Sequence, residues 1–153
     1  MTLPQIFATY GPALLQGLWV TLHLAFIIWA SGLIIGGLLG LTRASKLIKI
    51  FSIILGSMPV LVFLFWMHYP LQEILGVIID PFITAALALS IINIFLVADL
   101  VATELKEFPQ QYDWASKVCG LTKKQTIFKI KFPIIFRRIL PSLILSQTLM
   151  LQA

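Results

Sequence analysis

Apolar runs long enough to cross a lipid bilayer, each closed by a short polar or cationic stretch, leave this chain few ways to fold. A spanning helix needs about 20 mostly apolar residues at roughly 1.5 Å each. The sequence offers an uncharged run over about 12–41, a second over 50–67, a third over 82–103 and a shorter one over 134–153. With 59% of its 153 residues hydrophobic and only 11% charged, a soluble domain of this size has too small a core for its apolar surface. The expectation is an all-α integral membrane bundle of about three to four transmembrane helices, one domain over 1–153.

The polar residues narrow the function classes. A single cysteine, Cys119, excludes an intramolecular disulfide framework, and with His23 and His68 far apart in sequence no metal site is expected. The net charge of +5 falls in two cationic blocks flanking apolar runs, a placement that suits a membrane and not a nucleic acid. All 11 Lys and Arg residues lie in the first connection (Arg43, Lys46, Lys49) or between Lys106 and Arg138. By the bias of short loops these regions are expected to be cytoplasmic, with the N-terminus outside. Met1 to Pro12 lacks a cationic start and a small-residue cleavage site, so the first run is expected to stay in the protein.

Within the runs, Gly32, Gly36 and Gly40 recur at four-residue spacing beside Gly37, a small stripe suited to close helix approach or simply typical of membrane helices. Pro59 removes one backbone hydrogen bond and is expected to kink the second run. The last 15 residues reach only about 22 Å, so spanning a core of about 30 Å requires recruiting residues ahead of Ile139.

The cationic region 106–133 reads as two short helices rather than a disordered tail. Pro109 suits the first turn of a helix and Gly120 the left-handed residue just past its end. Thr122 and Gln125 form a capping-box pattern for a second helix that Pro133 stops or kinks. Trp114 and Val118 lie one turn apart, an apolar strip beside Asp113 and Lys117 that fits either a groove of a soluble protein or the bilayer surface.

These residues resemble a known family. Bacterial ABC importer permeases carry a cytoplasmic signature of Glu-Ala-Ala, three residues, Gly, nine residues, Ile, one residue and Leu-Pro. The chain has Trp114-Ala115-Ser116, then Gly120, Ile130 and Phe132-Pro133 at the same spacing. Leu15 to Leu22, Pro59-Val60-Leu61-Val62, Leu87 to Ser90, Ala98-Asp99, Gly120-Leu121-Thr122 and Arg137 to Pro141 are similar to the permeases for polar amino acids in particular. Trp114 stands where that signature has Glu, Ser57-Met58 where the family has Gly-Thr, and Ala102 where an Arg is usual. The chain stops where the family completes a fourth span and adds a fifth, so a C-terminally shortened permease is expected.

The resemblance implies a type I ABC importer permease fold with a cytoplasmic coupling helix. It also implies partners: an ATP-binding subunit, an extracytoplasmic solute-binding protein and a second permease subunit, identical or not, in the cell inner membrane. ATP is hydrolysed in the partner; this chain has no Gly-rich sequence ending in Gly-Lys-Ser or Gly-Lys-Thr, is not expected to be an enzyme, and needs no cofactor. Asp113, Trp114, Ala115, Ser116, Val118, Gly120, Leu121 and Thr122 are the expected coupling residues.

Asn93, Asp99 and His23 are candidates for the translocation pathway, each with a plainer reading. Asp99 lies seven residues before Lys106, about 10 Å along a helix, which also suits the inner interface. Asn93 and His23 also suit contacts between helices. The alternatives are a truncated, non-transporting remnant and a small membrane scaffold or secondary carrier, although no internal repeat or buried charge pair is visible. An intramembrane enzyme built on Asp99, Glu104 and Glu107 lacks His or Cys partners on one helical face.

Overall fold

The computed structural model describes residues 3–42 and 45–152; Arg43, the first cation of the first connection, lies outside the described residues, as do Met1 and Ala153. The described chain is all-α. Helix α1 (Leu3–Ser31) runs without a break through a π-helical turn (Gly32–Gly36) into α2 (Gly37–Gly40). After it come α3 (Ser45–Ser57), α4 (Val60–His68), α5 (Pro70–Leu75) and α6 (Pro81–Lys106). Helices α7 (Gln110–Val118) and α8 (Lys123–Thr126) precede a second π-helical turn (Ile127–Lys131) that leads into α9 (Phe132–Gln152).

Among the described residues two helical stretches are long and apolar enough to cross a membrane, Tyr10–Gly40 and Pro81–Lys106. A third is added if α3 and the α4–α5 segment count as one bent span. Their axes differ by 95° across Met58 and Pro59, a break rather than a kink. Proline disfavours a helical conformation in the residue before it and has no N–H to give. Pro59 is extended (φ −58°, ψ 127°), and its carbonyl then accepts from Val62 and Phe63 to start α4.

Helix α6 is the hub, contacting α1, the first π turn, α2, α3, α4 and α9. The glycine stripe sets the closest of these contacts. A Cβ on Gly36 would lie 2.6 Å from the Ile94 carbonyl oxygen, and one on Gly40 would lie 2.7 Å from that of Ala98. Four residues advance an α-helix by about 40° beyond a full turn, so a stripe at that spacing drifts around the helix. The π turn carries an extra residue and takes up this drift, which keeps all three glycines against α6. Gly37 faces open space.

Toward the C-terminal end, Pro133 does not stop a helix. The chain stays helical from Lys123 to Gln152, and the π turn just ahead of Pro133 relieves the clash its ring would make with the carbonyl four residues back. Helix α9 therefore starts well before Ile139 and has 21 residues. It packs on α6 through a cluster of Val97, Phe108, Ile135, Ile139 and Leu143.

Two substitutions separate packing from propensity. Gly36→Ala is expected to destabilise the bundle by about 1–3 kcal/mol through overpacking, because carbonyl backbone cannot move aside. Gly37→Ala is expected to be neutral or stabilising by up to about 1 kcal/mol, since Ala is the better helix former. Denaturant unfolding in detergent, followed by circular dichroism, measures both.

Candidate functional site

Four polar groupings lie along the bundle among the described residues, three of them holding residues that the sequence singles out. The first is a buried amide seam. Asn93 on α6 is 0% exposed, and its Nδ2 donates to the Ile28 carbonyl of α1 (2.8 Å) and to Oε1 of Gln147 on α9 (3.2 Å). Gln147 Nε2 donates back to Asn93 Oδ1 at 2.9 Å. Three of the four hydrogen-bonding positions of the Asn93 amide are thus filled, and one residue ties three helices. Gly32 makes room for it: a Cβ there would lie 2.8 Å from Asn93 Cγ.

The second grouping lies at the end of α6 where the cations gather. Asp99 is half-buried and shares a recess of about 270 Å³ with Lys46 and Lys49 of α3, Lys106 and Glu107. Ala102, on the same recess, is too small to fill it. Nearby, Arg138 Nε of α9 stands 3.6 Å from Glu104 Oε2. His23 belongs to neither grouping: it is exposed on α1, its ring edge-on to Trp19 with centroids 5.5 Å apart. The three candidate pathway residues are therefore not brought together.

The third grouping is the elbow beyond α6. Pro109 caps α7 from the position just before it. Gly120, at φ 69°, closes the helix: its N–H donates to Lys117 O and that of Leu121 to Ser116 O, both at 3.0 Å. This double bond pattern needs a left-handed residue, which glycine adopts without steric cost. Thr122 and Gln125 then bond reciprocally, Thr122 N to Gln125 Oε1 (2.9 Å) and Gln125 N to Thr122 Oγ1 (3.4 Å). Ser116 is buried on the inner side of α7, while Trp114 (63% exposed) and Val118 (88%) point outward, with Ala115 exposed between them. Asp113 pairs with Lys131 at 2.9 Å.

Gln147, Lys131, Gln72 and Thr84 take part in these groupings without standing in any motif of the sequence, and the last two form a cluster at the start of α6. In that cluster Gln72 Nε2 donates to Thr84 Oγ1 (3.0 Å), and Gln72 Oε1 accepts from Ile79 N (2.9 Å). An amide inside an otherwise apolar run, such as Gln147, is the signal that marks a bonded pair. Among the described residues no three His, Cys, Asp or Glu side chains converge as metal ligands.

A family model described as "Binding-protein-dependent transport system inner membrane component" matches residues 29–153. The chain is 28% identical over 135 residues to the probable glutamine ABC transporter permease protein GlnP of Bacillus subtilis (strain 168), covering 84% of this chain and 62% of that protein. It is 28% identical over 141 residues to the L-cystine transport system permease protein TcyB of the same organism, covering 88% and 60%. The chain thus spans only 62% and 60% of the lengths of these relatives. A crystal structure of an amino acid ABC transporter with histidines matches with a TM-score of 0.79 over 99% of this chain and 74% of that one. At 24% identity that likeness is one of fold.

Replacing Asn93 by Leu would leave the Gln147 amide and the Ile28 carbonyl without their partner. A loss of about 1–3 kcal/mol is expected in detergent unfolding. Asn93→Leu together with Gln147→Leu is expected to cost less than the sum of the two single changes, as measured by a double-mutant cycle.

Proposed function

We propose that this chain, which belongs to the family of binding-protein-dependent transport system inner membrane components, works as the membrane-spanning permease subunit of an ABC importer for amino acids. Its all-helical membrane bundle is of the type I importer permease kind. The amino acid class is inferred from relatives whose names specify glutamine and cystine transport. In this reading a second permease subunit completes the pathway, a solute-binding protein delivers substrate outside, and a separate ATP-binding subunit hydrolyses ATP inside.

One observation carries the reading. The signature-spaced residues form an exposed elbow in which Gly120 at positive φ closes α7 and helix resumes at Lys123, running unbroken into α9. A short helix held at both ends passes displacement to the spans, where a loose loop would absorb it. Trp114 and Val118 are the docking anchors, and small Ala115 lets a partner groove close over the helix. The cationic starts of α3 and α9 and the end of α6 share one end of the bundle with the elbow, which supports placing that end in the cytoplasm and the N-terminus outside.

Within this scheme Asn93 holds helix positions rather than contacting solute, because its amide is already engaged by α1 and α9. Asp99 is the better pathway candidate, since its carboxylate opens onto a recess. His23 would line a pathway only where a second subunit covers the outer face of α1.

Detergent-solubilised protein is expected to co-purify with its ATP-binding subunit. Trp114→Asp should cut the recovered complex by more than tenfold, as the loss of a hot spot of about 2 kcal/mol implies, without altering helix content. Gly120→Pro should also weaken it, because proline cannot adopt φ 69°. Equal recovery of complex from both variants and the unmodified protein would remove the docking assignment.

A further inference from the structure

Helix α7 has non-helical chain on both sides, at 107–109 and 119–122. Left to those connections, a nine-residue helix pushed from outside would pivot. Besides the Tyr112 ring of α7 packed on Phe108 (centroids 5.4 Å apart) and the buried Ser116, one ammonium group opposes pivoting. Lys131 Nζ lies 2.9 Å from Asp113 Oδ1 and 2.9 Å from Oδ2, so it bridges both oxygens of the carboxylate on α7. It also stands over the Phe108 ring, 5.3 Å from the centroid. Phe108 is buried in the cluster that joins α6 to α9, so the lysine touches both the base and the body of the elbow.

Backbone geometry brings it there. Lys131 is the last residue of the π-helical turn, and one extra residue in a turn rotates the side chains ahead of it by about 100° relative to the helix that follows. The pair is partly shielded, with side-chain exposures of 28% for Lys131 and 37% for Asp113, so salt screens it less than a fully exposed pair. The acid beside Ala115-Ser116 is thereby engaged inside the chain, and the outward face of α7 is left to Trp114 and Val118.

We propose that Lys131 is a positioning residue that fastens α7 to the base of α9, so that force applied at Trp114 and Val118 enters α9 through the Asp113–Lys131 pair. The purpose of this fastening rests on the docking reading above; the fastening itself is a property of the chain alone. The two therefore fail separately. Cys119 is the single cysteine, exposed at the end of α7, and takes a nitroxide label without any further substitution.

Label mobility is to be compared in detergent micelles for the unmodified protein, Lys131→Met, Asp113→Asn and Lys131→Arg. The mobile population is expected to rise about two- to fivefold in the first two variants, the shift that loss of a partly exposed ion pair allows, at unchanged helix content. Lys131→Arg, which keeps the bidentate pairing and the stacking on Phe108, should match the unmodified protein. Unchanged mobility in Lys131→Met, or Lys131→Arg as mobile as Lys131→Met, overturns the proposal. In a second arm, with the ATP-binding subunit bound and the transporter reconstituted, Lys131→Met should lower transport per ATP hydrolysed by a similar factor. No complex with the unmodified protein would sink the docking reading and the transfer of force with it, whatever the label reports.

Discussion

Close approach between the glycine stripe and α6, with the buried Asn93 amide at its Gly32 end, is the contact on which the rest of the bundle depends. Between helices in lipid there is little hydrophobic driving force, because lipid tails are as apolar as the side chains they replace. Association must come from close van der Waals contact and from hydrogen bonds that water does not contest. Gly32, Gly36 and Gly40 supply the first, and the amides of Asn93 and Gln147 with the Ile28 carbonyl supply the second. The two are linked, since any side chain at Gly32 would occupy the space of the Asn93 amide.

Once α1 and α6 are locked together, the other elements take their positions from α6. Helix α9 is held to it at two levels, by Gln147 with Asn93 and by Arg138 near Glu104, with Ile139 and Leu143 between them and Ile135 just ahead of Arg138. The elbow inherits that rigidity through Phe108, whose ring is part of the same cluster and lies under Lys131. A continuous packed route therefore leads from the exposed face of α7 to the amide seam. Both π turns lie on this framework, one letting glycines face α6 and the other carrying the helix past Pro133.

The outer surfaces show the opposite chemistry. Leu14, Leu18, Leu22 and Phe26 on α1, and Phe132, Phe136 and Ile144 on α9, are exposed. In water such area would be untenable, and its extent agrees with lipid or neighbouring subunits as the solvent of these faces. The polar cluster of Gln72 and Thr84 at the far end of α6 satisfies backbone left open where α5 ends and α6 begins.

By itself the sequence determined the class of fold, the stripe, the elbow and its caps, because each depends on residues close along the chain. Glycine spacing, the Thr122–Gln125 box and the left-handed Gly120 are local properties, and each is found at the residues that carry its pattern. Tertiary structure alone decided which polar groups meet. Asn93 and Gln147 are 54 positions apart, and nothing in either run specifies that their amides face each other. Asp113 and Lys131 are 18 apart, joined only because a π turn rotates the lysine toward α7. The 95° break at Pro59 and the unbroken helix through Pro133 make the same point from opposite sides. Proline removes one donor wherever it stands, but whether the chain bends or widens its turn is settled by what packs against it.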